Sequence, residues 1–121
     1  MRTTFNYPEA GKNYSVTISI GEYANQRHMI TLLGVDNEPF AVATVNMPEI
    51  HLEQDEVLIK DYSENEGMLD FLLTNDIVTL TDQVIESGYV RLYVCILNPE
   101  FVWGITQAYE EYQYEQHFNE Y

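Results

Sequence analysis

Carboxylates are the side chains of this sequence best placed to do chemistry. The adjacent pairs Asp55-Glu56 and Glu110-Glu111 have the composition of a general acid–base pair, which needs two carboxyls beside one reacting group. Yet twenty Asp and Glu stand against five Lys and Arg in 121 residues, and at that density adjacent pairs arise without a catalytic reason. His28, His51 and His117 are far apart and match no metal-ligand spacing. Cys95 lies between Val94 and Ile96 with no nearby cation to lower its pKa, so a buried inert thiol is expected rather than a nucleophile. Asp61, Ser63 and Asn65 open like a calcium loop, but the sixth position is Glu66 instead of glycine and the twelfth is Leu72 instead of glutamate. No phosphate-cradling glycine loop, nucleophile elbow or zinc-protease signature occurs. The expectation is a protein that is not an enzyme and needs no metal or cofactor.

What remains is charge. The formal net charge is −15 at pH 7. Self-repulsion on that scale opposes compaction, while it aids solubility and steers cationic partners. Direct nucleic-acid binding is disfavoured, because phosphates need cations to replace their counterions. An anionic surface can instead occupy the cationic groove of a nucleic-acid-binding protein; the plainer reading is a solubilising surface. Two regions carry the candidate contacts. One is the acidic belt Glu49, Glu53, Asp55, Glu56, Asp61, Glu64, Glu66 and Asp70, of which Glu64 and Glu66 also suit a helix N-terminus. The other is the C-terminal segment, which after Arg91 carries five acids and no Lys or Arg.

The elements that must position these residues are legible from periodicity. Tyr14, Val16, Ile18 and Ile20 alternate with polar residues, which predicts a half-buried strand over 14–20. Strands are expected over 28–35 and 40–46, separated by the turn Asp36-Asn37-Glu38-Pro39, and over 89–97. Val57-Leu58-Ile59 predicts a short strand, while 77–85 is ambiguous between strand and loop. Ser63-Glu64-Asn65-Glu66 has the form of a capping box, and Met68, Leu69, Leu72 and Leu73 follow at helical spacing to about Thr74. A longer C-terminal helix is expected over 99–121, with Phe101, Ile105, Ala108, Tyr109 and Tyr112 on its core face. Trp103 and Tyr114 fall on the opposite side near Glu110, with Phe118 beside Glu111, the placement of interface aromatics. The fold class is therefore α+β: an antiparallel sheet of about four to five strands packed against a short helix and a longer C-terminal one. Residues 1–121 form one domain, with ample apolar content for a core. The opening residues lack the apolar stretch of a signal peptide, no run approaches a membrane span, and the lone cysteine fits a reducing compartment, so a cytoplasmic protein is expected. Composition does not fix the oligomeric state.

The run Lys60 to Leu69 (KDYSENEGML), with Ser87-Gly88-Tyr89-Val90, Phe40 to Asn46 (FAVATVN) and Phe5 to Lys12 (FNYPEAGK), resembles a family of small acidic proteins carried by bacterial plasmids, integrative elements and phages and grouped as a domain of unknown function. The resemblance covers roughly residues 5–97, and the C-terminal segment departs from the usual shorter ending. It transfers no catalytic residue. It implies a setting in which small acidic proteins act as DNA mimics against restriction enzymes, uracil-removing glycosylases or CRISPR nucleases, an analogy of context rather than of mechanism. Together with the charge, this points to a non-catalytic inhibitor of a cationic host-defence protein of the anti-restriction or anti-CRISPR type. Its partner-binding residues would be Glu110, Glu111, Glu115, Tyr114, Phe118 and Trp103, with Asp55, Glu56, Asp61 and Glu64 as a second patch. The alternative is an accessory adaptor of a mobile element's own replication or transfer machinery.

Overall fold

A computed structural model describes residues 3–105. The chain starts with β1 (Phe5–Glu9), β2 (Lys12–Glu22), β3 (His28–Leu33) and β4 (Pro39–Val42), paired in that order as an antiparallel sheet. β5 (Thr44–Val45), β6 (Glu56–Lys60), β7 (Val78–Ser87) and β8 (Val90–Leu97) make a second antiparallel sheet in the order β5-β6-β8-β7. The short helix α1 (Met68–Thr74) lies between β6 and β7 in sequence, and a second helix, α2, starts at 99 and is described to 105.

Each element has a local cause. The β1–β2 hairpin turns on Ala10 (φ 51°) and Gly11 (φ 78°), the doubly positive φ that matches strand twist in a two-residue loop. In β2 the alternation delivers Val16 and Ile18 to the core and packs Ile20 against it. Tyr14, expected on the same buried face, is 38% exposed and rests its ring against Phe40. At the start of α2, the Asn98 side-chain oxygen accepts the Glu100 N–H at 3.1 Å, and Pro99 takes the first helical position, where no N–H is needed.

The single sheet expected from sequence is two, and the predicted strand over 40–46 is where they part. Ala43 donates its N–H to the Ile30 carbonyl of the first sheet and accepts the Lys60 N–H of the second, both at 2.9 Å. One peptide segment thus serves two sheets, and β4 and β5 lie on either side of it. The segment 77–85, ambiguous by pattern, belongs to β7 from Val78 onward; its register against β8 shifts between Leu80 and Val84, which breaks the alternation.

The main core lies between the sheets and under the helices: Val16, Ile30, Leu32, Val57, Ile59, Met68, Phe71, Leu72, Ile77 and Cys95 are among its buried members, and Phe101, Val102 and Ile105 pack on it from α2. A second cluster occupies the other face of β6 and β8, where Leu58, Leu92 and Val94 are covered by Val45, Met47, Ile50, Leu52 and Tyr62. Burying one such Leu contributes about 1.5–3 kcal/mol. The central strands of the second sheet are therefore apolar on both faces, which is why Val57-Leu58-Ile59 is a continuous apolar run.

The capping box does not form. Ser63 begins a 3-10 turn (Ser63–Asn65) with φ 56°, and α1 starts five residues later behind Gly67, whose φ of 94° is open to glycine at low cost. The helix end is satisfied from a distance instead: the Asp61 carboxylate accepts the Leu69 N–H at 2.8 Å. A side chain already fixed at the end of β6 outcompetes the local serine, because Ser63 lies in the left-handed region and makes no side-chain cap bond.

Candidate functional site

The acidic belt is strung along β6 and its flanks. At the start of the strand Asp55, 64% exposed in its side chain, stands 3.7 Å from His28 Nε2. Glu56 is half-buried and accepts the Glu53 N–H at 2.9 Å. At the other end Asp61 holds α1, as above, and Glu64 pairs with Lys60, whose ammonium lies 5.1 Å from the centre of the Tyr62 ring. The hydrogen bond from Lys60 holds the Glu64 carboxyl down at about 2. Asp55 and Asp61 are six residues apart along an extended strand, roughly 20 Å at ~3.3 Å per residue. The second patch expected from sequence is thus two separate acidic sites, one at each end of β6.

Elsewhere the carboxylates face solvent. Every described Asp and Glu is exposed except Glu56 and Asp61, which are half-buried. Three of the described cations are engaged: Arg27 donates to the carbonyls of Met47 and Ile50, Lys60 pairs with Glu64, and Arg91 stands 3.8 Å from Glu86. Trp103 on α2 is 64% exposed, on the side away from Phe101 and Ile105 as the helical spacing predicts. Glu110, Glu111, Tyr114, Glu115 and Phe118 lie outside the described residues.

Burial pushes the Cys95 thiol up to about 12, which leaves no thiolate at neutral pH. Among the described residues no group of three His, Cys, Asp or Glu is arranged to hold a metal ion. No helix among them is long and apolar enough to cross a membrane.

Sequence reasoning did not find the groove where β1 meets the junction of the two sheets. It has a volume of about 410 Å³ and draws Tyr7 and Glu9 from β1, Phe40, Ala41 and Val42 from β4, and Lys60, Glu64 and Asn65 from β6 and the turn after it. The Tyr7 ring meets Phe40 edge-on at 5.3 Å and Phe71 at 4.9 Å, and Tyr7 is only 2% exposed. Its hydroxyl is buried and has no hydrogen-bond partner among the described residues. Burial, then the nearby charges of Glu9 and Asp61, raise its pKa, so it is a neutral phenol at pH 7. Asn65 is 2% exposed and donates to the Val42 carbonyl at 2.7 Å, which ties the groove floor to the turn that carries Glu64.

A family model described as "Domain of unknown function (DUF4313)" matches residues 17–121. No curated protein and no solved structure gave a match to the chain.

Proposed function

The chain belongs to the DUF4313 family, a domain of unknown function, and from that premise we propose that it is a non-catalytic binding protein. Its anionic surface occupies the cationic site of a nucleic-acid-binding protein, in the manner of an inhibitor of host restriction or CRISPR defence. One observation carries the reading: the carboxylates of a chain with net charge −15 are spread over the described surface, while Arg27, Lys60 and Arg91 are held by carbonyls or carboxylates. Such a surface attracts cationic sites over distances of about one Debye length and repels nucleic acid itself. The acids at the two ends of β6 and those of the C-terminal segment would set the encounter rate, and Trp103 would contribute apolar contact. The inhibitor works in the cytoplasm, where its target meets nucleic acid.

The exposed Trp103 and Leu80, at 64% and 50%, favour a second reading, an adaptor of a mobile element that docks through apolar contact. Salt separates the two. Proteins retained from a host lysate on the immobilised chain are identified by mass spectrometry, and the affinity of the principal one is measured from about 50 to 500 mM salt. A mimic loses affinity steeply across that range and is displaced by duplex DNA or RNA. Affinity that is flat in salt, with no competition by nucleic acid, would sink the mimic reading in favour of the adaptor.

A further inference from the structure

We propose that the outer edge of β7 pairs with an extended basic segment of a protein partner, which joins the second sheet as a further antiparallel strand centred on Val84. This deepens the reading above and rests on it for the cationic nature of the partner.

The two sheets have four edge strands, and three of them are blunted. β1 contains Pro8, β4 has four residues and begins with Pro39, and β5 has only two. β7 has ten residues with no proline, lysine or arginine, and among the described residues no strand pairs with its outer side. Its one interruption is the register shift between Leu80 and Val84, so residues 84–87 pair regularly with β8 and are open on the other side.

The ladder fixes which backbone groups are free. Leu97 donates its N–H to the Asp55 carbonyl on the β6 side, so Cys95 and Tyr93 also turn their backbone groups to β6, and Ile96, Val94 and Leu92 turn theirs to β7. The Val94 carbonyl agrees with this direction, since it accepts the Thr81 hydroxyl at 2.6 Å across the bulge. Val84 and Glu86, opposite Tyr93 and Arg91, therefore present their N–H and C=O to the outer edge, while Ile85 bonds inward to Leu92.

Side-chain chemistry selects the occupant. Leu80 and Val84 are exposed, and they share a face with Glu86 because their cross-strand partners are Cys95, Tyr93 and Arg91. Asp82 is exposed and makes no ion pair among the described residues, whereas Glu86 stands 3.8 Å from the exposed Arg91. A second copy of the chain is a poor match. Antiparallel self-pairing about Val84 sets Asp82 of each strand opposite Glu86 of the other, and each copy carries −15. A strand with an apolar residue opposite Val84 and a lysine or arginine two positions to either side meets the same edge with opposite charge.

The test uses the full chain labelled with ¹⁵N and a capped heptapeptide with valine at its centre, lysine two positions to either side and threonine elsewhere. In the free chain the Val84 and Glu86 amides should exchange quickly with solvent and the Ile85 amide slowly. The peptide should slow the first two. Its counterpart with glutamate for lysine should not, nor should one methylated at the central backbone nitrogen. Asp82→Lys, at an exposed position, should weaken the lysine peptide by about three- to tenfold at low salt. Val84→Pro removes an outward N–H and no bond to β8, so it should abolish the slowing at Glu86 while Ile85 stays protected. Val84 and Glu86 amides already protected in the free chain would overturn the proposal: protection independent of concentration gives the edge to this chain's own C-terminal segment, and protection that grows with concentration gives it to a second copy. Equal slowing by the glutamate peptide, or no loss with Asp82→Lys, would overturn it too. A lysate partner that binds the parent, Asp82→Lys and Val84→Pro alike while losing affinity with salt refutes the edge and leaves the anionic-surface reading standing. Peptide pairing at the edge with no cationic partner in the lysate upholds the edge and refutes that reading instead.

Discussion

At the N-terminal end of β6, the exposed Asp55 carboxylate stands 3.7 Å from His28, whereas at the C-terminal end Asp61 is half-buried and fastens α1 through the Leu69 N–H. Beyond Asp61 the contrast continues: Glu64 is tied to Lys60, and Asn65 is buried against the Val42 carbonyl. Two stretches of similar acidity therefore have different duties. Upstream, Asp55 is exposed beside His28 and Glu53 lies 3.2 Å from His51, with Glu56 half-buried and bonded to the Glu53 N–H, while the downstream acids are partly committed to building the protein. Net charge alone overstates how much of an acidic surface is free to bind.

Substitutions along β6 can break or sharpen that contrast. The largest effect is expected at Asn65, where Asn65→Ala removes the donor to the Val42 carbonyl and should cost about 1–3 kcal/mol in urea denaturation. A loss below about 0.5 kcal/mol would place water at that carbonyl and weaken the distinction between the two ends. Next, Asp61→Ala should cost about 1–2 kcal/mol by stripping the acceptor from the start of α1, while Asp55→Asn stays within about 0.5 kcal/mol. Equal losses at Asp55 and Asp61 would erase the asymmetry. The smallest effect concerns Glu64, which is exposed and screened by salt. Its folded pKa is depressed from 4.5 to about 2, so its contribution is present above the ordinary carboxylate range and is lost as pH falls through about 2. The melting temperatures of the parent and Glu64→Gln should differ slightly at pH 7 and converge near pH 2; a gap that widens on acidification would reverse the assigned sign.

The same strand explains what was legible in the sequence. Val57-Leu58-Ile59 announces a strand because both of its faces are covered, and the alternation of β2 announces one whose outer face is wet. The helical spacing of Met68, Leu69, Leu72 and Leu73 announces α1, and that of Phe101 and Ile105 announces α2. Pattern could not show which element satisfies the start of α1. Ser63 and Asp61 both have the chemistry, and the choice depends on where β6 leaves Asp61 in space. Nor could it show that 40–46 is divided, since Ala43 continues the apolar run while its two polar groups face different sheets. The groove is the least legible part: Tyr7 and Lys60 are 53 positions apart, and an orphan hydroxyl has no signature in sequence.

The residue shared by the two sheets has a consequence for how the molecule opens. With its N–H donated to Ile30 and its carbonyl accepting from Lys60, Ala43 couples the opening of one sheet to that of the other. Ala43 lies between β4 and β5, each an edge strand of its own sheet, so loosening of either strand is felt at the same residue. Release there uncovers apolar surface on both sides of the core at once. Coupling of this kind favours one cooperative unfolding step over two, and slow exchange of the Ala43 amide, as slow as that of the central strands, is the expected sign of it.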